Sequence, residues 1–264
     1  MSTLSLKKVS FQYQTGFTLQ QIDLQVSHQS FLAVIGPNGS GKTTLLRLIT
    51  RLLKPSHGCI SINQKSLEHF TSRELARRMA VISSDQHFEF PFSVVEVVSM
   101  GRYPYLGRFT RLSRSDRRVV DEALAMTKTS HLKDRPISQI SSGERQRVLL
   151  ARAVAQEPEI LILDEPNAHL DINHQANIFR LLQFLNQKRG VSVIAVLHDL
   201  GAAAAFCQEL ILINNGKMIK RGKPTEVITT KIIHETYGTD VLVSQHPADG
   251  FPLVSYRKDS NNKQ

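Results

Sequence analysis

The distribution of apolar and polar residues predicts the main elements of the chain. Between residues 4 and 26 the two kinds alternate, as at Leu4-Ser5-Leu6 and Ile22-Asp23-Leu24. Such alternation is typical of half-buried strands in an antiparallel sheet. Two later runs, at residues 31–35 and 160–163, are apolar throughout, and a third, at residues 191–197, is apolar except for Ser192. Because parallel strands are covered on both faces, these runs predict an α/β fold with a mostly parallel sheet and an N-terminal antiparallel β subdomain.

The middle of the chain has a helical pattern. Apolar spacing predicts helices over residues 94–100 and 115–126. Ser141 followed by Glu144 fits a capping box at the start of a third helix. We therefore expect a helical insertion within the α/β fold.

These patterns divide the chain into three parts. The expected parts are a nucleotide-binding α/β core at 1–86 and 158–240, a helical subdomain at 87–157 and a C-terminal extension at 241–264. Within the core, a helix is predicted over residues 225–236, and residues 259–264 are expected to be a solvated tail.

A glycine-rich loop follows the apolar run at 31–35. It consists of Gly36, Pro37, Asn38, Gly39, Ser40, Gly41, Lys42, Thr43 and Thr44. Glycines let the backbone N–H groups of such a loop point at one anion, and the following helix directs its positive dipole end there. Lys42 can reach the terminal phosphates, and the Thr43 hydroxyl can ligate Mg²⁺. A glycine loop between strand and helix therefore predicts binding of a nucleoside triphosphate.

Polar residues follow the other two apolar runs. Asp164 and Glu165 come directly after residues 160–163, at the sheet edge where open α/β folds hold ligands. Asp164 can hold Mg²⁺ and Glu165 can polarise an attacking water. His198 ends the third run at the same edge. Tyr13 precedes the loop, and on spacing alone it is equally an adenine-stacking ring or an ordinary strand aromatic.

Composition limits the class of protein. The chain has 264 residues, of which 41% are hydrophobic, and a net charge of +10, as expected of a globular protein with a sizeable core. The basic residues are spread along the chain, so we expect no nucleic-acid partner. Two widely separated cysteines indicate a reducing compartment. The start of the chain lacks the apolar segment of a signal peptide, and no apolar run approaches the ~18 residues that span a bilayer.

The order of these motifs resembles the ATP-binding subunit of ABC transporters. Residues 36–44 resemble its Walker A motif, 160–165 its Walker B motif and 140–147 its signature motif. The resemblance implies that Ser141, Ser142, Gly143 and Glu144 contact the ATP held by a partner subunit.

Individual residues acquire roles from this resemblance. Asp171 resembles the D-loop aspartate, His198 the switch histidine and Tyr13 the adenine-stacking aromatic. It implies that Glu165, His198 and Lys42 are catalytic, that Thr43 and Asp164 hold Mg²⁺, and that ATP is bound and hydrolysed. It also implies a homodimer of ATPase subunits.

Two further segments are similar to one group within the family. Phe90-Pro91-Phe92, with Gly101-Arg102-Tyr103-Pro104, resembles importers of iron-siderophores, haem and vitamin B12, as does the segment 246–252. This implies a membrane permease as partner, a periplasmic or lipid-anchored substrate-binding protein acting indirectly, and a peripheral position at the cytoplasmic face of the inner membrane.

The sequence departs from the family pattern at three places. Ser142 stands where the signature has its first glycine, and Asn167 stands where Thr is usual. The Q-loop glutamine position falls on Ser84, with Gln86 two residues later, so either residue is a candidate. We expect weakened geometry at Ser142 rather than loss of function.

Two alternative functions are consistent with part of the pattern. One is a soluble ABC-type ATPase acting on nucleic acid or ribosomes, and the absence of heptads between Thr44 and Ser141 argues against its DNA-repair form. The other is a nucleotide-binding regulatory subunit with little hydrolysis, which Ser84 and Ser142 favour and Glu165 disfavours.

Overall fold

The computed structural model describes residues 2–14, 16–83, 88, 90–166 and 171–257. Its strands are β1 (Ser2–Gln12), β2 (Thr18–Ser27), β3 (Phe31–Ile35), β4 (His57–Ile62), β5 (Lys65–Ser66), β6 (Met79–Ile82), β7 (Ile160–Asp164), β8 (Ser192–Val196), β9 (Glu209–Asn214), β10 (Lys217–Gly222), β11 (Val241–Gln245) and β12 (Pro252–Tyr256). Its α-helices are α1 (Lys42–Ile49), α2 (Ser72–Arg78), α3 (Val94–Ser99), α4 (Arg114–Met126), α5 (Ser142–Ala155), α6 (Ile172–Arg189), α7 (Leu200–Phe206), α8 (Pro224–Val227) and α9 (Thr230–Tyr237).

The central sheet has six strands in the order β10-β9-β3-β8-β7-β6. Neighbouring strands from β9 to β6 are parallel, and β10 pairs antiparallel with β9 across a tight turn. Every residue of β3 and β8 is buried, which explains why these segments are apolar without alternation. The predicted α/β fold with a mostly parallel sheet is confirmed. Because β3, β7 and β8 are parallel neighbours, the polar residues after them share one edge.

A second, antiparallel sheet precedes and flanks the first. Its order is β2-β1-β4-β5, as the alternation of residues 4–26 predicts. Its inward residues Leu6 and Leu24 belong to the same buried cluster as Val34 of β3 and Leu45 of α1. This shared core holds α1, and with it the glycine loop, between the two sheets.

The helices between β6 and β7 have a core of their own. Val97 of α3, Leu124 of α4 and Val148 of α5 lie in one buried cluster. A buried arginine supports it from one end: the Arg102 side chain donates to Asp116 (3.0 Å) and to Glu157 (2.7 Å). Removing one partner of such a buried ion pair costs about 3–5 kcal/mol, so this contact fixes the segment after α3 onto α4 and α5.

The region after β10 differs from the sequence prediction. The single helix predicted over 225–236 is wrong, because the structure has two short helices, α8 and α9. Ile228 between them is buried in a non-helical conformation, and the Thr229 side chain caps α9 by accepting from the backbone of Ile232. Strands β11 and β12 then form an antiparallel hairpin that the sequence patterns did not indicate. The tail predicted at 259–264 lies outside the described residues.

Among the residues that the structure describes, no helix combines the length and apolarity needed to cross a membrane.

Candidate nucleotide-binding site

The glycine loop joins β3 to α1, as predicted. Gly41 is in the left-handed conformation (φ 111°) and caps α1, so Lys42 is the first helical residue. The Lys42 ammonium donates to the carbonyls of Gly36 and Pro37, both at 2.9 Å. Burial lowers the pKa of Lys42, and the carboxylates of Glu165 and Asp164 oppose that shift. A cation whose hydrogen bonds to the described residues go to two carbonyls is available to a more negative partner.

Two glycines of the loop are required by close contacts. A Cβ on Gly36 would lie 2.0 Å from the carbonyl oxygen of Ile213 in β9, and Gly36 also has a positive φ of 149°. A Cβ on Gly41 would lie 3.0 Å from the ring of Phe17. The loop is therefore confined between the end of β9 and the β1–β2 turn.

Asp164 ends β7 with one carboxylate oxygen unsatisfied. This Oδ1 atom is buried and has no hydrogen-bond partner among the described residues. Burial raises the pKa of Asp164, the charge on Glu165 raises it further, and a hydrogen bond from Thr43 opposes the rise. A buried oxygen without a partner costs about 1–3 kcal/mol unless something binds it. An oxygen-seeking cation beside Thr43 and Asp164 would satisfy this atom, so the two residues fit the predicted Mg²⁺ site.

Glu165 and His198 form a pair at the same edge. The Glu165 Oε1 atom lies 2.6 Å from the His198 Nε2 atom. Glu165 has a positive φ of 52°, unusual for a residue with a side chain, and its N–H donates to Val196 at the end of β8. Strain of this kind persists only where the surroundings impose it. The positive φ of Glu165 directs its carboxylate from the end of β7 toward His198.

An open cavity of about 430 Å³ contains these groups. It is lined by Tyr13, Phe17, residues 38–44, Glu165 and His198. This volume is within the range of small-molecule sites. A smaller cavity of about 230 Å³, between α4, α5 and α6, contains no part of the glycine loop and none of the predicted site residues.

The aromatic side of the cavity has two rings rather than one. Tyr13 packs edge-on against Phe11, with ring centroids 4.7 Å apart. Its backbone N–H donates to the carbonyl of Phe17 (2.9 Å), which closes a turn and brings the Phe17 ring to the cavity wall. Phe17 was not predicted, because nothing in its spacing distinguishes it from a turn residue.

The predicted signature residues begin α5. The Ser141 hydroxyl accepts from the backbone of Glu144 at 3.3 Å, and the Glu144 carboxylate accepts from the Ser141 backbone at 2.9 Å, which is the predicted capping box. The hydrogen bonds that the Glu144 carboxylate accepts from the backbone and hydroxyl of Ser141 lower the pKa of Glu144. Ser142 is exposed and is the first residue of the helix. Since its φ is not positive, serine replaces the usual glycine there without backbone strain.

A histidine that was not predicted joins the signature to the D-loop position. Asp171 caps α6, and its carboxylate lies 2.9 Å from the His174 Nδ1 atom. The His174 ring covers Gly143 so closely that a Cβ there would lie 2.5 Å from the His174 Cδ2 atom. No local sequence signal connects Gly143 with His174, which are distant in the chain.

The structure brings together most of the predicted site and separates one part. Tyr13, loop residues 38–44, Glu165 and His198 line one cavity, and Asp164 joins them through its hydrogen bond with Thr43. Residues 141–144 are not among those lining the cavity. The Q-loop candidates Ser84 and Gln86 lie outside the described residues, as do Asn167 and residues 168–170 of the predicted D-loop.

One more contact of the loop comes from the C-terminal region. Tyr237 of α9 reaches the backbone amide of Gly36, and burial raises the pKa of this tyrosine to about 12. The first residue of the loop is therefore supported from α9 as well as from β9.

A glycine loop on a strand-to-helix turn, beside an acidic strand end, defines a P-loop nucleotide-binding protein. The family described as ABC transporter matches residues 19–168. The ferric enterobactin transport ATP-binding protein FepC of Escherichia coli (strain K12) is 37% identical over 89% of this chain and 87% of its own length. The chain belongs to the ABC transporter family.

A second relative and a solved structure also match this chain over most of their lengths. The hemin import ATP-binding protein HmuV of Thermobifida fusca (strain YX) is 37% identical over 95% of this chain and 87% of its own length. A solved metal-chelate type ABC transporter in an inward-facing conformation superposes with a TM-score of 0.87 and 27% identity, covering 98% of this chain and 99% of that one. The predicted class, an ATPase that powers a transporter, is confirmed.

Proposed function

We propose that this chain hydrolyses ATP to drive import of an iron complex, a siderophore or haem, through a separate membrane permease. The observation that carries the catalytic part is the Glu165–His198 pair, 2.6 Å apart in the cavity of the glycine loop. A carboxylate there can accept a proton from water while the histidine holds it in place.

The hydrolytic step uses residues at the edge of the central sheet where β3, β7 and β8 end. Water attacks the terminal phosphorus of ATP, Glu165 takes the proton of that water, and the bond to ADP breaks. Lys42 exchanges its two loop carbonyls for phosphate oxygens and stabilises the charge that develops. His198 fixes the Glu165 carboxylate and contacts the terminal phosphate.

Thr43 and Asp164 would hold Mg²⁺. When bound, this ion neutralises phosphate charge. The support is the unsatisfied Asp164 Oδ1 atom.

The active form is proposed to be a dimer, since each site is incomplete alone. Residues 141–144 carry the features of an anion site, a helix N-terminus with exposed serines, yet they do not line the cavity of their own chain. The exposed apolar residue Ile172 (85% exposed) lies at the start of α6, in the same helix turn as His174. A head-to-tail pair would place the signature of one copy over the ATP of the other and cover Ile172.

The helical subdomain (the helical part of the chain, residues 87–157) is proposed to contact the permease. Phe90 and Tyr103 are 65% and 60% exposed, which is unusual for large apolar side chains. Tyr103 follows Arg102, whose side chain joins this segment to α4 through Asp116 and to the end of α5 through the carbonyl of Ala155. We also propose that the chain consists of a core at 1–86 and 158–240, a helical subdomain at 87–157 and an extension at 241–264.

The cargo is inferred from the relatives. The names of FepC and HmuV specify ferric enterobactin and hemin, and the solved transporter is of the metal-chelate type. We propose a peripheral position at the cytoplasmic face of the inner membrane, with a periplasmic or lipid-anchored binding protein supplying the cargo.

The replacement Glu165→Gln tests the catalytic proposal. It keeps the shape and the contact to His198 but removes the proton acceptor. We expect ATP hydrolysis by the chain with its permease to fall about 10²–10⁴-fold, with ATP-dependent dimers accumulating in gel filtration. Glu122→Gln, an exposed change on α4, is the control. Near-normal hydrolysis in Glu165→Gln would contradict the role of this residue.

Co-purification tests the partner and cargo. The tagged chain should retain an iron-chelate permease, and vesicles containing both should take up iron-siderophore or haem only with ATP. Retention of a permease that moves a different class of cargo would refute the cargo and leave the ATPase proposal intact.

A further inference from the structure

A strongly basic surface covers the loop before α4 and the first turns of that helix. We define the arginine surface as residues 108–118, which carry five exposed arginines: Arg108, Arg111, Arg114, Arg117 and Arg118. On α4, three of them are spaced i, i+3 and i+4 and share one helix face. The other two precede the helix in the loop.

Little negative charge neutralises these arginines. Arg118 has one partner, Glu122 at 3.6 Å, and no other arginine of the surface has an ion pair among the described residues. Asp116 is within the segment, but its carboxylate is directed inward and accepts from Arg102 and from Ser113. The surface therefore has several unpaired positive charges.

The position of these arginines is unfavourable for the helix itself. Positive side chains in the first turns of a helix oppose its dipole. Three of the first five residues of α4 are arginines, and its N-terminus is held instead by the capping box of Ser113 and Asp116. Helix stability does not explain this placement, whereas an anionic partner would.

An apolar ring projects from the same surface. Phe109 is 96% exposed, the highest value among the exposed large hydrophobic side chains described. Among the described residues, its one ring contact is with the Arg108 guanidinium, 5.9 Å from the ring centroid. A cationic surface with one protruding apolar side chain matches the headgroup layer of a membrane, where arginines meet phosphates and the ring enters the acyl boundary.

We propose that the arginine surface binds anionic phospholipid headgroups of the bilayer. This goes beyond the proposed transport function, because the chain alone would have this affinity. The permease is a poorer electrostatic match, because the cytoplasmic loops of membrane proteins carry excess Lys and Arg. Single-stranded nucleic acid is disfavoured because it needs successive aromatic platforms, and the surface has one ring. Lipid contact here would orient the helical part toward the permease.

The test is co-sedimentation of the full-length chain with vesicles. Each arginine near an anionic surface strengthens partitioning roughly fivefold. We expect binding to vesicles of phosphatidylcholine with phosphatidylglycerol (3:1), weak binding to phosphatidylcholine alone, and loss of binding in high salt. The double variant Arg108→Gln/Arg111→Gln should bind about 25-fold more weakly, and Phe109→Ser should also weaken binding.

A matched control exists on β10, where Lys217, Ile219 and Lys220 are likewise exposed. The variants Lys217→Gln/Lys220→Gln and Ile219→Ser should bind vesicles as the unmodified chain does. ATP hydrolysis without lipid should be unchanged in all these variants, which separates this proposal from the catalytic one.

Three results with vesicles and permease would overturn the proposal, and a fourth would come from competition with RNA. They are equal binding to both kinds of vesicle, unchanged binding by the arginine double variant, and loss of permease co-purification in that variant without any change in lipid binding. The last result would assign the surface to the permease. Preferential binding of RNA over vesicles at equal phosphate concentration would likewise refute it.

Discussion

Replacing Asp164 with Asn should have opposite effects on two properties: the stability of the nucleotide-free chain should rise, and Mg²⁺ binding should be lost. The Asp164 carboxylate has a buried oxygen without a partner and lies beside the negative Glu165. An amide has the same shape without the charge. The replacement should therefore stabilise the nucleotide-free chain and remove the site for the cation.

The size of the effect follows from the half-buried position of Asp164. The Asn amide leaves the same buried position without a partner, so the gain comes from removing a charge that Glu165 repels. Two neighbouring like charges in solvent-like surroundings repel by about 1 kcal/mol. We expect the free energy of unfolding to rise by about 1 kcal/mol, which corresponds to about 2–4 °C in Tm for a chain of this size. With Mg²⁺ and ATP near 100 times the dissociation constant, the unmodified chain gains about 2.7 kcal/mol. Asp164→Asn should gain little more from ATP with Mg²⁺ than from ATP with EDTA.

The pH dependence of this effect has a definite sign. Because the pKa of Asp164 is raised above its usual 3.8, the folded chain binds more protons there than the unfolded chain. The unmodified chain therefore loses stability as the pH rises from 3.8 through the raised pKa. The advantage of Asp164→Asn should be complete above that pKa and should disappear below pH 3.8.

Differential scanning calorimetry without nucleotide, with ATP and EDTA, and with ATP and Mg²⁺ measures the stability gain and the Mg²⁺ effect, and repeating the nucleotide-free scans at a series of pH values measures the pH dependence. Asp121→Asn, an exposed change on α4, is the control. A lower Tm for Asp164→Asn without nucleotide, together with an unchanged Mg²⁺ effect, would refute the reasoning.

Three further predictions concern the signature helix and the helix caps. Gly143→Ala should cost about 1–3 kcal/mol because its Cβ would meet the His174 ring, and adding His174→Ala should recover most of that loss in a urea-unfolding double-mutant cycle; simple additivity would contradict the contact. Ser142→Gly should leave the ATPase rate near that of the unmodified chain, because Ser142 has helical backbone geometry; a large increase would show that the serine obstructs the site. Hydrogen bonds from Ser93 lower the pKa of Glu96 below 4.5, so this cap adds stability above that pH and loses it as the pH falls through the lowered pKa. Glu96→Gln should flatten the acid limb of a stability–pH profile, and an unchanged limb would refute the assignment.

The sequence predicts those features that local pattern controls. The burial of β3 and β8 is visible as apolar runs, and the glycine loop is specified by its own residues. Asp164, Glu165 and His198 were predictable because parallel strands bring their carboxyl ends to one edge. The capping box of Ser141 is likewise local.

Features that depend on distant contacts were not predictable. Phe17 reaches the cavity through a turn, and His174 covers Gly143 only because tertiary packing brings the start of α6 to the start of α5. The break at Ile228 depends on burial of that residue, which no local pattern reveals. The β11–β12 hairpin consists of short strands without strong alternation. In each case tertiary packing, rather than periodicity, determines the outcome.

The order of strands in the central sheet also has a consequence for synthesis of the chain. Strand β3, which carries the glycine loop, pairs with β8 and β9, and both are made long after it. At about 5–20 residues per second, on the order of ten seconds or more separate the emergence of β3 from that of β9. Until β9 is made, the loop lacks the strand end against which Gly36 lies. We therefore expect a nascent chain interrupted before β9 to bind ATP weakly although it carries the whole phosphate-binding sequence, so that nucleotide protects a chain from degradation only after β9 has joined the sheet.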